Sequence, residues 1–242
     1  MRGFVDLHSH WVASIDDGVR TIDEGIALLS LLHQAGFSHV VATPHMRPGM
    51  FENDKASLEA AYQKTVAQLH THVGPLPTHS LASEHFFDDV VFERLLQHQG
   101  LPYRSHVLIE FPPTQFPQRV AARFVDLKRK GLGVVLAHPE RYQPVWENDQ
   151  CLDDLLDVGA HLLLDLCALV GKYGKAPQKA AEKLLAEDAY EAACSDAHRP
   201  ADVDDVVRSI ERLQKLVGVD EAKRLLITGP TAILDGLSQS NP

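Results

Sequence analysis

Six segments of this chain close an apolar, strand-like run on a residue of metal-ligand type. In D-L-H-S-H, Asp6 to His10, the run Phe4, Val5, Leu7 ends on His8 and His10. At i, i+2 spacing the two imidazoles share one face of a strand. V-V-A-T-P-H ends on His45, L-A-S-E-H on Glu84 and His85, and V-L-I-E-F holds Glu110. V-V-L-A-H-P-E-R carries His138 and Arg141, and A-C-S-D-A-H-R carries Asp196 and His198. Converging neutral imidazoles and carboxylates suit borderline divalent cations such as zinc, manganese or iron. A lone H-x-H is commonplace on surfaces and in cores. Ligand-type residues at the same end of six runs point instead to a polynuclear metal site.

Between these runs lie segments with helical periodicity. Thr21 and Glu24 read as a capping box before Ile22, Ile26, Leu29 and Leu32, with Gly36 as terminator. Pro117 reads as the first helical residue before Val120, Phe124 and Leu127, with Lys128, Arg129 and Lys130 at the negative end and Gly131 as stop. Asp202 reads as the opening of a helix through Val203, Val206, Ile210 and Leu213. Weaker helical patterns cover 56–72, 88–98, 150–158 and 176–188, leaving strands near Phe4, Val40, Leu81, Leu108, Val134, Leu163 and Ala192. Such a β/α alternation, with ligand residues at nearly every strand's carboxyl end, predicts a closed parallel barrel. An open doubly wound sheet would draw ligands from the few strands beside its switch point.

The chain has 242 residues, and a (β/α) barrel commonly occupies about 200 to 250 as one unit. One domain over 1–242 is expected, with 238–242 a frayed tail. The net charge of −10 argues against a nucleic-acid surface. Cys151, Cys167 and Cys194 form no C-x-x-C pair and leave an odd count, which fits a reduced compartment. No apolar stretch approaches the ~20 residues that span a bilayer, so a cytoplasmic protein without membrane insertion is expected. No G-x-G-x-x-G or Walker loop supports a nucleotide reading.

Taken together, D-L-H-S-H, I-D-D-G, A-T-P-H with G-M-F-E, S-E-H, L-I-E-F, A-H-P-E-R-Y and S-D-A-H resemble the polymerase and histidinol phosphatase (PHP) superfamily over nearly the whole chain. Within it they resemble the bacterial CpsB/YwqE-type protein-tyrosine phosphatases. The resemblance implies a distorted (β/α)7 barrel with two or three divalent ions, usually manganese or iron, with zinc as an alternative. The matching metal residues are His8, His10, Asp17, His45, Glu84, Glu110, His138, Asp196 and His198. It also implies a phosphotyrosine protein as partner, in particular a tyrosine kinase of polysaccharide synthesis or export.

Adjacent cations in such a set activate water and clamp the nonbridging oxygens of an in-line phosphoryl displacement. Arg141 is placed to donate bidentately to the phosphate, and Arg47 in M-R-P-G is a second candidate. His198 or His45 could act as proton donor through water. Asp16 and Asp17 before Gly18 also have a plain turn reading. His33, His39, His70, His72, His79, His98, His106 and His161 read as surface or packing residues. His85, Arg199, Asp165 and Cys167 have no assigned role. The alternatives are a histidinol-phosphate phosphatase, an amidohydrolase, and a metal-bound module without activity. A C-x5-R cysteine mechanism finds no match.

Overall fold

The computed structural model describes residues 3–70 and 72–236, so the tail expected at 238–242 lies outside the described residues. Among the described residues nine strands follow in chain order: β1 Phe4–Asp6, β2 Phe37–Ala42, β3 His45–Met46, β4 Thr78–Leu81, β5 Glu84–Phe86, β6 His106–Glu110, β7 Gly133–Ala137, β8 His161–Asp165 and β9 Tyr190–Cys194. Helices α1 Ile22–Gln34, α2 Lys55–Leu69, α3 Asp89–Leu96, α4 Val120–Arg129, α5 Gln143–Glu147, α6 Asp153–Asp157, α7 Lys175–Ala186, α8 Val203–Val217, α9 Val219–Lys223 and α10 Gly229–Asp235 lie between and after them. All strand pairs are parallel, in the orders β1-β2-β4 and β3-β5-β6-β7-β8-β9.

Two of the seven expected strands are each broken in two. Pro44, which has no N–H to give a ladder, separates β2 from β3, and Ala82 and Ser83 separate β4 from β5. The Ala82 N–H still donates to Ala42 O at 2.8 Å, so each broken pair occupies one position in the barrel wall. Closure comes from the chain's two ends. The His10 N–H donates to Ala197 O at 2.9 Å and the Asp196 N–H to His8 O at 3.0 Å. The result is the expected seven-position barrel, a (β/α)7 arrangement.

Alternation along the strands sorts the core into two shells. Val5, Leu7, Val41, Ala82, Leu108, Val135, Ala137, Leu163, Ala192 and Cys194 form one cluster with Ile233 of α10, which is the barrel interior. Val40, Ala42, Val107, Ile109, Val134, Leu136, Leu162, Leu164 and Ala193 pack outward under the helices. One inward position further toward the carboxyl end, the apolar side chain gives way to a carboxylate. Ala82 is followed at i+2 by Glu84, Leu108 by Glu110, Leu163 by Asp165 and Cys194 by Asp196. The two-residue period of a strand accounts for Glu110 and Asp165, which lie within β6 and β8, while Glu84 follows the break after β4 and Asp196 the turn after β9.

Three expected helix starts differ in detail. Thr21 caps α1 by accepting from the Glu24 N–H at 3.2 Å, but the Glu24 carboxylate takes the Arg20 N–H rather than that of Thr21, so the box is half formed. The helix expected from Pro117 begins at Val120, because Arg119 takes a left-handed conformation (φ 55°) immediately before it. Asp202 precedes α8 without capping it. Its Oδ2 accepts the N–H groups of His198 and Arg199 at 2.9 and 3.0 Å, and Lys172 holds Oδ1 at 2.9 Å. Among the described residues no helix is long and apolar enough to cross a membrane.

Candidate metal centre

Every proposed ligand except Asp17 is buried or half-buried at the carboxyl mouth of the barrel, and Asp17 reaches in from the loop after β1. The centre is Glu84. Its Oε1 lies 3.0 Å from His138 Nε2 and 3.3 Å from His8 Nε2, and its Oε2 lies 3.1 Å from His45 Nδ1 and 3.6 Å from His10 Nε2. Asp196 Oδ1 lies 3.2 Å from His8 Nε2 and 3.4 Å from His10 Nε2. On the outer side, Asp17 Oδ1 is 3.4 Å from His45 Nε2 and 3.5 Å from His198 Nε2. Glu110 Oε2 is 3.9 Å from His45 Nδ1.

Four overlapping groups have donor atoms all within 4.8 Å of one another: His8, His10 and Glu84; His8, His138 and Asp196; His45, Glu84 and Glu110; and His10, Asp17, His45 and His198. All nine residues expected as ligands fall in these groups. The donors also fit a metal by their unsatisfied state. His8 Nε2, His10 Nε2, His45 Nδ1, His138 Nδ1, Glu110 Oε2 and Asp196 Oδ1 are buried without a hydrogen bond. Such orphans are rare in a protein interior and costly there.

Two of these side chains are aimed by strained backbone. His138 has φ 37° and Asp196 φ 43°, left-handed values that few non-glycine residues adopt. Each residue follows the end of its strand, β7 or β9, and the turn keeps its side chain over the barrel mouth. Phe51 stacks on the His45 ring at 5.3 Å, and His198 stacks on His10 at 4.0 Å, so the cluster is walled on its open side.

The electrostatics are those of a dense mixed cluster. Burial alone would raise the Glu84 carboxyl, but His8, His45 and His138 outweigh it and hold it well below its ordinary range. Glu110 goes the other way, pushed up to about 7 by burial and then by the Glu84 charge. Burial, then Arg141, lowers the His138 imidazole to about 4, which keeps it neutral with its lone pair available. The Asp17 carboxyl is held low by His198 and His45.

Several contributors escaped the sequence reading. Asp16, read as a turn residue, is the orienting partner of His10: Oδ2 lies 2.8 Å from His10 Nδ1 and accepts the His45 N–H at 3.1 Å, while Oδ1 accepts the Gly18 N–H at 2.9 Å. Thr43 Oγ1 sits 2.5 Å from His8 Nδ1. Both fix which imidazole nitrogen faces the cluster. Buried Asp6 accepts the Ser195 N–H at 2.9 Å and so joins β1 to the turn that carries Asp196. The signal for Asp16 was its position before Gly18 and six residues after His10, which a turn explains equally well.

The residues without an assigned role also have places. His85 is structural: Nδ1 lies 2.9 Å from Leu108 O and Nε2 accepts the Leu101 N–H at 3.2 Å. Asp165 Oδ2 lies 3.5 Å from Arg141 and Oδ1 accepts the Cys167 N–H at 2.8 Å. Cys167 and Cys194 are fully buried, and burial pushes both thiols up, so neither supplies a thiolate. Arg199 is exposed beside the mouth.

Arg141 stands at the rim. Its Nη1 donates to Asp196 Oδ2 at 2.5 Å, and its guanidinium lies 4.5 Å from the centre of the Tyr173 ring. Arg47 lies 4.0 Å from Glu110 Oε2 and 4.1 Å from the centre of the Phe86 ring. Both candidate phosphate-binding cations therefore adjoin the acids of the cluster.

A seven-position parallel barrel with an imidazole and carboxylate cluster at its carboxyl mouth defines a metal-site barrel. Residues 4–235 match the model of the capsular polysaccharide synthesis family CpsB/CapC, and the chain belongs to that family. It is 28% identical over 200 residues to the tyrosine-protein phosphatase YwqE of Bacillus subtilis, covering 80% of this chain and 77% of YwqE. It is 25% identical over 241 residues to the tyrosine-protein phosphatase CpsB of Streptococcus pneumoniae, covering 95% of this chain and 98% of CpsB. A crystal structure from the pair YwqE and CpsB, described as unique metal-dependent tyrosine phosphatases, matches with a TM-score of 0.87 at 26% identity. That match covers 97% of this chain and 95% of the other.

Proposed function

We propose that this chain is a metal-dependent protein-tyrosine phosphatase whose substrate is a bacterial tyrosine kinase of polysaccharide synthesis or export, acting in the cytoplasm. The observation that carries this reading is the set of buried, unsatisfied donor atoms from five of the seven barrel positions that gathers with Glu84 of a sixth. Membership of the CpsB/CapC family and likeness to YwqE and CpsB supply the substrate class.

His8, His10, Asp17, His45, Glu84, Glu110, His138, Asp196 and His198 would hold two or three divalent ions, manganese first, with iron or zinc as alternatives. When bound, such ions supply Lewis acidity that activates water and neutralises phosphoryl oxygens. Glu84, whose two oxygens face four imidazoles, would be the central ligand of that set. Arg141 would donate to the phosphoryl group from beside Asp196, and Arg47 would add positive charge from beside Glu110. Attack forms one P–O bond to water oxygen and breaks the P–O bond to the tyrosine ring. The phenolate leaves with a pKa of about 10, so a strong proton donor is dispensable. His198, half-buried at the mouth with Nε2 toward Asp17, belongs to the ligand set, so the proton that the phenolate takes up comes from solvent.

The test is exhaustive chelation followed by re-addition of manganese, iron or zinc, with elemental analysis, on a phosphotyrosine peptide and on histidinol phosphate. Activity should vanish with the metal, return with it, and favour the peptide. Turnover by verified metal-free protein would remove the mechanism, and preference for histidinol phosphate would move the substrate to a small molecule.

A further inference from the structure

We infer that a side pocket opening from the metal cluster receives the aromatic ring of the substrate, and that Trp146 and Tyr173 select aryl over alkyl phosphate esters. The inference rests on the phosphatase reading above. The pocket holds about 220 Å³ and is lined by Glu110, His138 and Arg141 at one end and by Pro113, Tyr142, Trp146, Tyr173 and Pro177 elsewhere. Pockets for drug-sized ligands begin near ~300 Å³, so this one suits a single side chain.

Its two ends have opposite chemistry. Glu110 and His138 belong to the cluster, and Arg141, which holds Asp196 through Nη1, brings the guanidinium to the same end, so a phosphoryl group bound there directs its ester oxygen into the pocket. The remaining wall is aromatic and proline surface, which packs an aromatic ring by edge and face. An alkyl ester such as phosphoserine would leave that wall wet.

The walls are held in place. Tyr142 Oη donates to Ala137 O at 2.9 Å and accepts the Phe111 N–H at 3.1 Å. Trp146 Nε1 donates to Glu140 O at 2.6 Å, yet the side chain stays 42% exposed beside empty space instead of packing into the core. Tyr173 lies under Arg141 with its hydroxyl turned to Asp165. The ring would therefore enter a slot formed before it arrives.

Benzylphosphonate, in which CH2 replaces the ester oxygen, and methylphosphonate are the probes. Binding to manganese-loaded protein is measured by calorimetry and by Trp146 fluorescence, the other tryptophan, Trp11, being fully buried. Wild type should bind benzylphosphonate about tenfold tighter than methylphosphonate, from aromatic packing and burial of the ring. Trp146→Ala and Tyr173→Ala should each reduce that ratio severalfold, and Trp146→Phe, which keeps a ring but loses the bond to Glu140, should retain most of it. Equal affinities in wild type, or an unchanged ratio in both alanine variants, would overturn the inference. These ratios need no turnover, so a protein that binds the aryl probe preferentially but hydrolyses no phosphotyrosine would refute the phosphatase reading alone.

Discussion

Arg141 and Asp196 are joined by a 2.5 Å hydrogen bond in which Nη1 donates to Oδ2, while the other Asp196 oxygen lies 3.2 Å from His8 Nε2. One carboxylate thus connects the cation at the rim to the imidazoles of the cluster. A guanidinium cannot ligate a metal but matches two phosphate oxygens. Arg141→Ala should keep its full metal content and lose about 100-fold in kcat/KM on a phosphotyrosine peptide, the scale of one transition-state donor. If the contact is uniform, KM alone rises; if it strengthens with developing charge, kcat falls. Metal analysis beside steady-state kinetics checks this, and an unchanged kcat/KM would remove Arg141 from the site.

Asp16 gives a prediction that separates support from ligation. Asp16→Asn leaves room for the N–H contacts from His45 and Gly18 but weakens the hold on His10 Nδ1. Loss of such an orienting partner costs about 10- to 100-fold in metal affinity. Glu84→Ala should cost more, because Glu84 faces four imidazoles. Competition of both variants with a calibrated chelator gives the order, and an Asp16→Asn affinity equal to wild type would reduce Asp16 to a turn residue.

Metal should also stabilise the fold. Cation binding to a site absent from the unfolded chain adds about 2.7 kcal/mol at a free concentration 100 times Kd, which for a chain of this size raises Tm by roughly 5 to 10 °C. Calorimetry with and without manganese measures it. His8→Ala and Asp196→Ala should show little of the increment, and an equal rise in wild type and both variants would place the stabilising cation elsewhere.

A pH effect is expected at the opposite end of the barrel. His106, buried at the start of β6, has its imidazole lowered from the ordinary 6.5 to about 4 by burial and then by neighbouring His161. The unfolded chain therefore takes up this proton first. Stability from neutral His106 is present above pH 6.5 and lost as pH falls toward 4. Urea midpoints of metal-free protein should fall between pH 7 and pH 5, and His106→Gln should lessen the slope. Parallel slopes in the two proteins would exclude His106 as the source.

Much of the barrel was legible because its signals are local. Apolar runs of strand length alternated with capped helical segments, and the i+2 spacing that stacks Leu108 under Glu110 or Leu163 under Asp165 is a property of any strand. What was misread was also local in form but decided at a distance. The segment after Pro117 could not start its helix until Arg119 had turned left-handed, and Asp202 bonds the His198 loop and Lys172 instead of capping α8.

The sequence by itself determined which residue types stand at the barrel mouth, since each ligand-type residue lies in or just after an apolar, strand-like run that can be read without knowledge of its neighbours. Tertiary structure alone decided which atoms meet. Glu84 faces four imidazoles because closure brings the start of the chain beside β9 and the broken strand at Pro44 beside β5. Asp16 became the partner of His10, and Trp146 and Tyr173 became walls of one pocket, for the same reason. Contacts between segments far apart in sequence depend on how the barrel closes, and no residue carries that information in its own neighbourhood.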